Sequence, residues 1–357
     1  MIQRVAVVGA GTMGAGIAQL CAQSGFGVKV HDPLPAALEA LPGRLRKSLD
    51  AAVLKGKLGT QQADRAFHSV SAAATLEDLA GADLVIEAAP EDLEVKRGLF
   101  EKLSKICPDA VLATNTSSLS VAEIMARAVS PERTLGVHFF NPPVAMKLVE
   151  MVRTAKTSPE AFREAFDFVL MGLRRTPVDV KDVPGFIVNR VMRPYYVRAQ
   201  RLAGAEASFS SVDEACRRLG GVPMGPFELM DLIGLDTNLA ITKSIYEALG
   251  RPERFTPPAL QQALVERGMT GRKSGKGFYV YEAGKPSGEN PDALSLRTGA
   301  GADGAAAWTS LRAALIAEAE SVVKEGTASA TDVDTAIKLA MNFPKGPLEW
   351  RKESTAA

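Results

Sequence analysis

Arg4–Asp32 reads RVAVVGAGTMGAGIAQLCAQSGFGVKVHD. It opens with a β-branched apolar run ending at Gly9. Met13, Ile17, Leu20 and Cys21 then recur at helical spacing, and an alternating run, GVKVH, stops at Asp32. Two strand-like runs around one helical period, within roughly 30 residues, make a β-α-β unit. At its first turn, Gly9-Ala10-Gly11-Thr12-Met13-Gly14 is G-x-G-x-x-G after a strand and opening a helix. Gly9 permits the tight turn, Gly11 lets backbone N–H groups approach a pyrophosphate, and Gly14 allows close helix–strand packing. The helix N-terminus adds partial positive charge. Asp32, 18 residues beyond Gly14, is placed to accept hydrogen bonds from the adenosine ribose hydroxyls. No arginine follows it immediately, since Pro33, Leu34 and Pro35 do, and its charge would repel a 2′-phosphate, so NAD is favoured over NADP. A glycine turn without a ligand and a site for FAD are the competing explanations. Strand, helix and acid together favour the dinucleotide.

Working outward, DLVIEAA (83–89), AVLATN (110–115), LGVHFF (135–140), LVEMV (148–152) and PVDVKD (177–182) read as further strands. Helices at about Leu93–Ile106 and Val121–Ala128 separate the first three. A basic helical stretch from Pro35 to Lys57 and a second piece near Gln61–Phe67 predict a helical hairpin inserted near 35–70. Strands alternating with helices imply a parallel, doubly wound α/β sheet of Rossmann type over residues 1–183. Pro184-Gly185 marks a boundary. Helices over 186–204, 211–219, 227–249 and 258–267 then predict an all-α domain spanning 184–282. Residues 283–306, rich in Gly, Ala, Ser and Pro, read as a flexible linker.

Beyond the linker the chain repeats itself. Val212, Asp213, Ala215, Pro223, Gly225, Pro226 and Glu228 recur 121 positions later as Val333, Asp334, Ala336, Pro344, Gly346, Pro347 and Glu349. Matches in register predict a duplicated helical module over 307–351, a partial copy that ends early.

The chain has 357 residues, enough for two or three domains, with 46% hydrophobic and 23% charged residues. A net charge of +1 argues against a nucleic-acid or membrane-surface partner. Cys21, Cys107 and Cys216 lack C-x-x-C spacing, which suggests free thiols in a reducing compartment and no metal site. The first strand begins with no leader before it, and no apolar run approaches the ~18 residues of a spanning helix. A soluble cytoplasmic protein is the expectation.

Oxidation of an alcohol by NAD needs a base to take the hydroxyl proton as the hydride leaves, and histidine suits neutral pH. The chain has three histidines. His31 adjoins Asp32 at the adenosine end, and His68 lies among polar residues. His138 falls near the C-terminal end of a strand, the edge where open α/β sheets bind ligands. Glu150 lies on the next strand, and a turn through Asn141-Pro142-Pro143 can set the two side by side. A carboxylate on one ring nitrogen would fix the tautomer and stabilise the imidazolium. Spacing alone does not choose between this pair and a packed histidine beside a solvated glutamate.

The stretches GAGTMGAGIAQ, DLVIEAAPEDLEVKRGLF, ATNTSSL, GVHFFNPPVAMKLVE, DVPGFIVNR, PMGPFELMDLIGLD and KSGKGFYVY resemble the L-3-hydroxyacyl-CoA dehydrogenase family, in its order and spacing, over residues 1–282. The resemblance implies NAD-dependent, reversible oxidation of the 3-hydroxyl of an L-3-hydroxyacyl-CoA to the 3-ketoacyl form, as in fatty-acid β-oxidation. It makes His138 the base and Glu150 its partner. Ser117 would hold the substrate oxygen near the nicotinamide, and Asn189 would contribute to that pocket. Both are neutral donors suited to an oxygen that becomes a carbonyl. Glu91, Lys96, Ser117, Asn141 and Lys273 match positions around NAD, and Ser48 and Lys55 match positions that bind the CoA part. An ordinary charged face would also explain Ser48 and Lys55, and one serine of Asn115-Thr116-Ser117-Ser118 is expected to cap a helix before Val121. A relative acting on a free hydroxy acid or sugar acid, and a nucleotide-binding protein with a dead site, are the competing functions. The repeat departs from the family pattern. It implies either a homodimer or a monomer in which the second copy occupies the dimer surface.

Overall fold

The computed structural model describes residues 2–204, 207–298, 301–302 and 304–356. The chain divides into two compact units, Met1–Val183 and Pro184–Ala357.

The first unit is built on a sheet of eight strands. They are β1 (Arg4–Val8), β2 (Gly27–His31), β3 (Val70–Ala73), β4 (Leu84–Glu87), β5 (Val111–Thr114), β6 (Thr134–Phe139), β7 (Leu148–Arg153) and β8 (Thr176–Lys181), in the order β3-β2-β1-β4-β5-β6-β7-β8. The helices are α1 (Thr12–Gln23), α2 (Pro35–Leu54), α3 (Thr60–His68), α4 (Leu93–Ile106), α5 (Val121–Ile124) and α6 (Pro159–Asp167). β4, β5 and β6 are buried along their whole length. That is why they read as continuous rather than alternating apolar runs. β1 pairs in parallel with both β2 and β4. The strand order therefore reverses beside the glycine turn, the switch point where such sheets bind ligands.

Three details differ from the sequence-based expectation. β3 is an additional edge strand, four residues long and mostly small or exposed, which leaves little pattern to read. The sheet is not wholly parallel: β6 and β7 are antiparallel, and β8 runs parallel to β7. The turn from Phe140 to Lys147 is too short for the crossover that a parallel pair requires. The helix expected over Val121–Ala128 is only α5 followed by a 3-10 turn.

The second unit is helical: α7 (Val188–Leu202), α8 (Phe209–Gly220), α9 (Pro226–Ile233), α10 (Leu235–Ala248), α11 (Ala259–Glu266), α12 (Pro291–Ser295), α13 (Gly304–Lys324), α14 (Ala330–Met341) and α15 (Pro347–Ala356), with a hairpin of β9 (Tyr279–Glu282) and β10 (Lys285–Glu289). The internal repeat is structural. Asp213 accepts hydrogen bonds from the N–H groups of Phe227 and Glu228 at the start of α9. Its counterpart Asp334 accepts one from Leu348 at the start of α15. A Cβ on Gly225 or Gly346 would lie 2.3 and 2.2 Å from those aspartates. The two ion pairs Arg217–Glu228 and Lys338–Glu349, at 2.7 and 2.5 Å, also stand at equivalent positions.

The segment 283–306 is not the featureless linker its composition suggests. β10 pairs with β9 through the backbone, which glycine, serine and proline tolerate at an edge. Asn290 is fully buried, caps α12, and donates to the Gly277 carbonyl at 2.8 Å. Residues 299, 300 and 303 lie outside the described set. No helix among the described residues is long and apolar enough to cross a membrane.

Asp213 also accepts from the Tyr279 hydroxyl at 2.8 Å, while burial pushes its carboxyl up to about 7. An unfolded aspartate titrates near 3.9, so the folded state binds the extra proton. Its stabilising contribution is full below about pH 4 and is lost as pH rises through about 7. Unfolding measured between pH 4 and 8 is expected to show that decline in the wild type and a flatter profile in Asp213→Asn.

Candidate active site

The site is built at the C-terminal edge of the first unit's sheet. Gly9 has φ +105°, and a Cβ there would lie 2.5 Å from the Ala88 carbonyl oxygen; a Cβ on Gly14 would lie 1.8 Å from the Gly9 oxygen. Around Gly11, by contrast, nothing approaches within 4 Å of a Cβ position. α1 begins at Thr12 with Gly11 as a cap that offers no side-chain acceptor. The first-turn N–H groups of Thr12, Met13 and Gly14 are thus available to an anion, and the helix dipole favours one. Asp32 holds the same turn: its two carboxylate oxygens accept from Ala10 N at 2.8 Å and Leu34 N at 2.9 Å. Each oxygen keeps further acceptor capacity for ribose hydroxyls.

One contact here escapes sequence reading. The Arg44 guanidinium on α2 donates to the Ala10 carbonyl at 2.6 Å, so with Asp32 on its N–H both backbone polar atoms of Ala10 are held. Arg44 and Ser48 stand four residues apart on α2, with Lys55 seven further on at its C-terminal cap. That spacing keeps the three on one stripe, and it is the signal that could have drawn attention to Arg44. Ser48 is half-buried and Lys55 exposed, the latter suited to a phosphate as a mobile point charge.

The loops after β4 and β5 are tied by a buried ionic network. Glu87, at the end of β4, accepts from Lys96 Nζ at 2.6 Å, from the Thr114 hydroxyl at 2.6 Å and from Ala89 N at 2.6 Å. Glu87 and Lys96 are 0% and 1% exposed. Lys96 also lies 3.4 Å from Glu91. Glu91 in turn accepts from the Thr116 hydroxyl, from Ser117 N at 3.1 Å, and from Ser118 N and Oγ. Burial pushes the Glu91 carboxyl up, but Lys96 and those hydrogen bonds outweigh it and hold the group below the usual carboxylate range. Ser117 is therefore presented on a loop whose backbone is pinned by a charged acceptor. Neither Ser117 nor Ser118 caps the next helix. That role falls to Ser120, whose hydroxyl accepts from Glu123 N, with Asp182 accepting from Val121 and Ala122.

His138 and Glu150 are register partners across the antiparallel pair β6–β7. His138 Nδ1 lies 2.7 Å from Glu150 Oε2; the histidine is 7% exposed and the glutamate 0%. A carboxylate can only accept, so Nδ1 carries the proton and Nε2 the lone pair. The Phe140 ring packs 4.6 Å from the imidazole, and Asn115 Oδ1 accepts from Phe139 N at 2.8 Å, fixing the strand end. Asn141 is exposed in the following turn. That turn seats Pro143 against α1, where a Cβ on Gly16 would come within 2.9 Å of it. The other histidines are engaged elsewhere: His31 Nδ1 with the Ala73 carbonyl at 3.1 Å, His68 Nδ1 with the Asp64 carbonyl at 2.7 Å.

Asn189 and Lys273 belong to the second unit. Asn189 is half-buried in the first turn of α7, and its carbonyl accepts from Arg193 Nε at 2.9 Å. Lys273 is exposed and paired with Asp236 at 2.6 Å, a partner the sequence does not announce. Among the described residues no group of three or more His, Cys, Asp or Glu could hold a metal ion.

Residues 4–183 match the 3-hydroxyacyl-CoA dehydrogenase NAD binding domain, and residues 185–281 and 309–356 match the C-terminal domain of the same family. The chain belongs to the 3-hydroxyacyl-CoA dehydrogenase family. It is similar to the 3-hydroxyadipyl-CoA dehydrogenase of Escherichia coli K12, 35% identical over 98% of this chain and 90% of that one. It is also similar to a 3-hydroxybutyryl-CoA dehydrogenase of Mycobacterium tuberculosis, 42% identical over 78% of this chain and 99% of that one. A crystal structure of 3-hydroxybutyryl-CoA dehydrogenase from Escherichia coli K12 superposes with a TM-score of 0.87 at 33% identity, covering 99% and 92% of the two chains. The protein is an oxidoreductase that uses NAD, and its activity is that of a 3-hydroxyacyl-CoA dehydrogenase in acyl-CoA metabolism.

The glycine contacts give a direct check on the cofactor loop. Gly14→Ala forces a Cβ onto the Gly9 carbonyl and is expected to weaken NADH binding at least about tenfold. Fluorescence titration of NADH, read beside the melting temperature, separates that loss from unfolding.

Proposed function

We propose that His138 is the general base for oxidation of the 3-hydroxyl of an L-3-hydroxyacyl-CoA, and the general acid in the reverse direction. The observation that carries this is the 2.7 Å bond between His138 Nδ1 and the buried Glu150 carboxylate. Glu150 fixes the tautomer, so that Nε2 takes the substrate proton, and it stabilises the imidazolium that results. Ser117, on the loop pinned by Glu91, and Asn189 donate hydrogen bonds to the oxygen that becomes the ketone. The glycine loop from Gly9 to Gly14, with Asp32, Glu91, Lys96, Asn141 and Lys273, holds the dinucleotide. The fit rests on the uncapped start of α1 and the open space at Gly11. NAD, when bound, supplies the hydride acceptor. Ser48 and Lys55 bind the CoA portion, and Arg44 ties their helix to the cofactor loop.

The helix α13 packs along α7 within one chain, and its Trp308, Leu311 and Leu315 are buried. This supports a monomer whose repeat covers the surface a partner subunit would use, in preference to a homodimer. A solution mass of one chain by light scattering is the expected result. Three buried free cysteines support a reducing, cytoplasmic setting.

The test follows nicotinamide absorbance with a panel of 3-ketoacyl-CoA substrates, including 3-ketobutyryl-CoA and 3-ketoadipyl-CoA. His138→Ala is expected to lose roughly 10²–10⁴ in rate, and Glu150→Gln a comparable factor with KM for NADH unchanged. A His138→Ala enzyme that turns over at the wild-type rate contradicts the assignment.

A further inference from the structure

Among the positions at which the two copies of the repeat differ, three are brought together just after Asn189 in α7. Arg190, the next residue, is 2% exposed. Its Nε donates to Glu318 at 2.8 Å, and its two terminal nitrogens donate to the two oxygens of Glu325, each at 2.7 Å. Both glutamates come from the second module: Glu318 on α13, itself 1% exposed, and Glu325 just beyond the helix end. Glu318 is further held by Arg254 at 2.5 Å. At the 121-residue spacing of the repeat, the second copy has Leu311 where the first has Arg190, and the first has Val197 and Gly204 where the second has Glu318 and Glu325. The contact is therefore one-directional. A second copy of the first module in that place would present no carboxylate to Arg190.

We infer that the second module is a positioning element for the substrate pocket: Glu318 and Glu325 hold Arg190, and through it set the direction of the Asn189 side chain. This rests on the role proposed for Asn189. Successive residues of a helix point about 100° apart, so clamping Arg190 in a bidentate fork fixes the azimuth of the first turn of α7 and hence of Asn189. The entry to that turn is fixed as well. Gly185 has φ +80°, a Cβ there would lie 2.5 Å from Ile245, and Phe186 has φ +49°. Arg193 completes the clamp from the next turn, bonding the Asn189 carbonyl at 2.9 Å and the Asn238 carbonyl at 3.1 Å. A guanidinium makes this clamp where an ammonium cannot, because it presents parallel donors in one plane.

The test uses the full chain with Glu325→Gln, Glu318→Gln and Arg190→Lys. Glu325 is half-exposed, so its variant keeps the fold even if Glu318→Gln does not. Misplacement of a substrate-positioning group by about 1 Å can cost 10²-fold. Glu325→Gln and Arg190→Lys are expected to lower kcat for 3-ketobutyryl-CoA roughly 10- to 100-fold, with KM for NADH and the melting temperature near wild type. Asn189→Ala, combined with Glu325→Gln, should add little further loss. Folded variants with wild-type kcat, or losses that track the melting temperature and KM for NADH together, would overturn the inference alone. An inactive wild type, or an Asn189→Ala enzyme at full rate, would instead overturn the reading on which it rests.

Discussion

The hydrogen bond between His138 and Glu150 depends on two strands running in opposite directions. In an antiparallel pair, directly opposed residues bring their side chains together on one face. A parallel β7 would need a long crossover and would not set these two positions in register. The local reversal at Phe140–Lys147 is thus the constraint that brings His138 and Glu150 together. It also seats Pro143 against α1, which joins the turn after His138 to the helix that opens with the glycine loop.

Around that pair the first unit invests in fixed charge. Burying Glu87 and Lys96 is tolerable because each meets the other and the remaining lone pairs are satisfied by Thr114 and Ala89. The result is a rigid platform carrying Glu91, which in turn holds the Thr116–Ser118 backbone. The second unit follows a similar logic with different residues. Its buried Asp213 and Asp231 draw α8, α9 and the β9 strand together through backbone N–H groups and the hydroxyls of Tyr279 and Tyr281. In both units a buried carboxylate organises several donors from segments distant in sequence.

What the sequence makes legible is what is local. The β-α-β unit, the glycine turn and the alternation of strands and helices follow from periodicity, and the duplicated module follows from matches in register. The proximity of His138 and Glu150 can be anticipated from a short proline turn between two apolar runs, although the spacing alone leaves a packed histidine equally open. Contacts set by tertiary placement are not legible. Nothing near Arg44 announces the Ala10 carbonyl, and Glu318 lies 128 positions from Arg190. The misread linker has a different cause. Lys285–Glu289 forms a strand through its backbone, while its Gly, Ser and Pro content is equally that of an unstructured segment. Ser120 rather than Ser117 or Ser118 caps α5 because the loop before it is committed to Glu91.

The central claim is that Glu150 sets the tautomer of His138 so that Nε2 is the base. Nitrogen-15 NMR of histidine-labelled protein near neutral pH, with only three histidines to assign, measures this without turnover. In its neutral form the wild-type His138 is expected to carry the proton on Nδ1, and Glu150→Gln to lose that preference. A neutral wild-type His138 protonated on Nε2 and not on Nδ1 would contradict the claim.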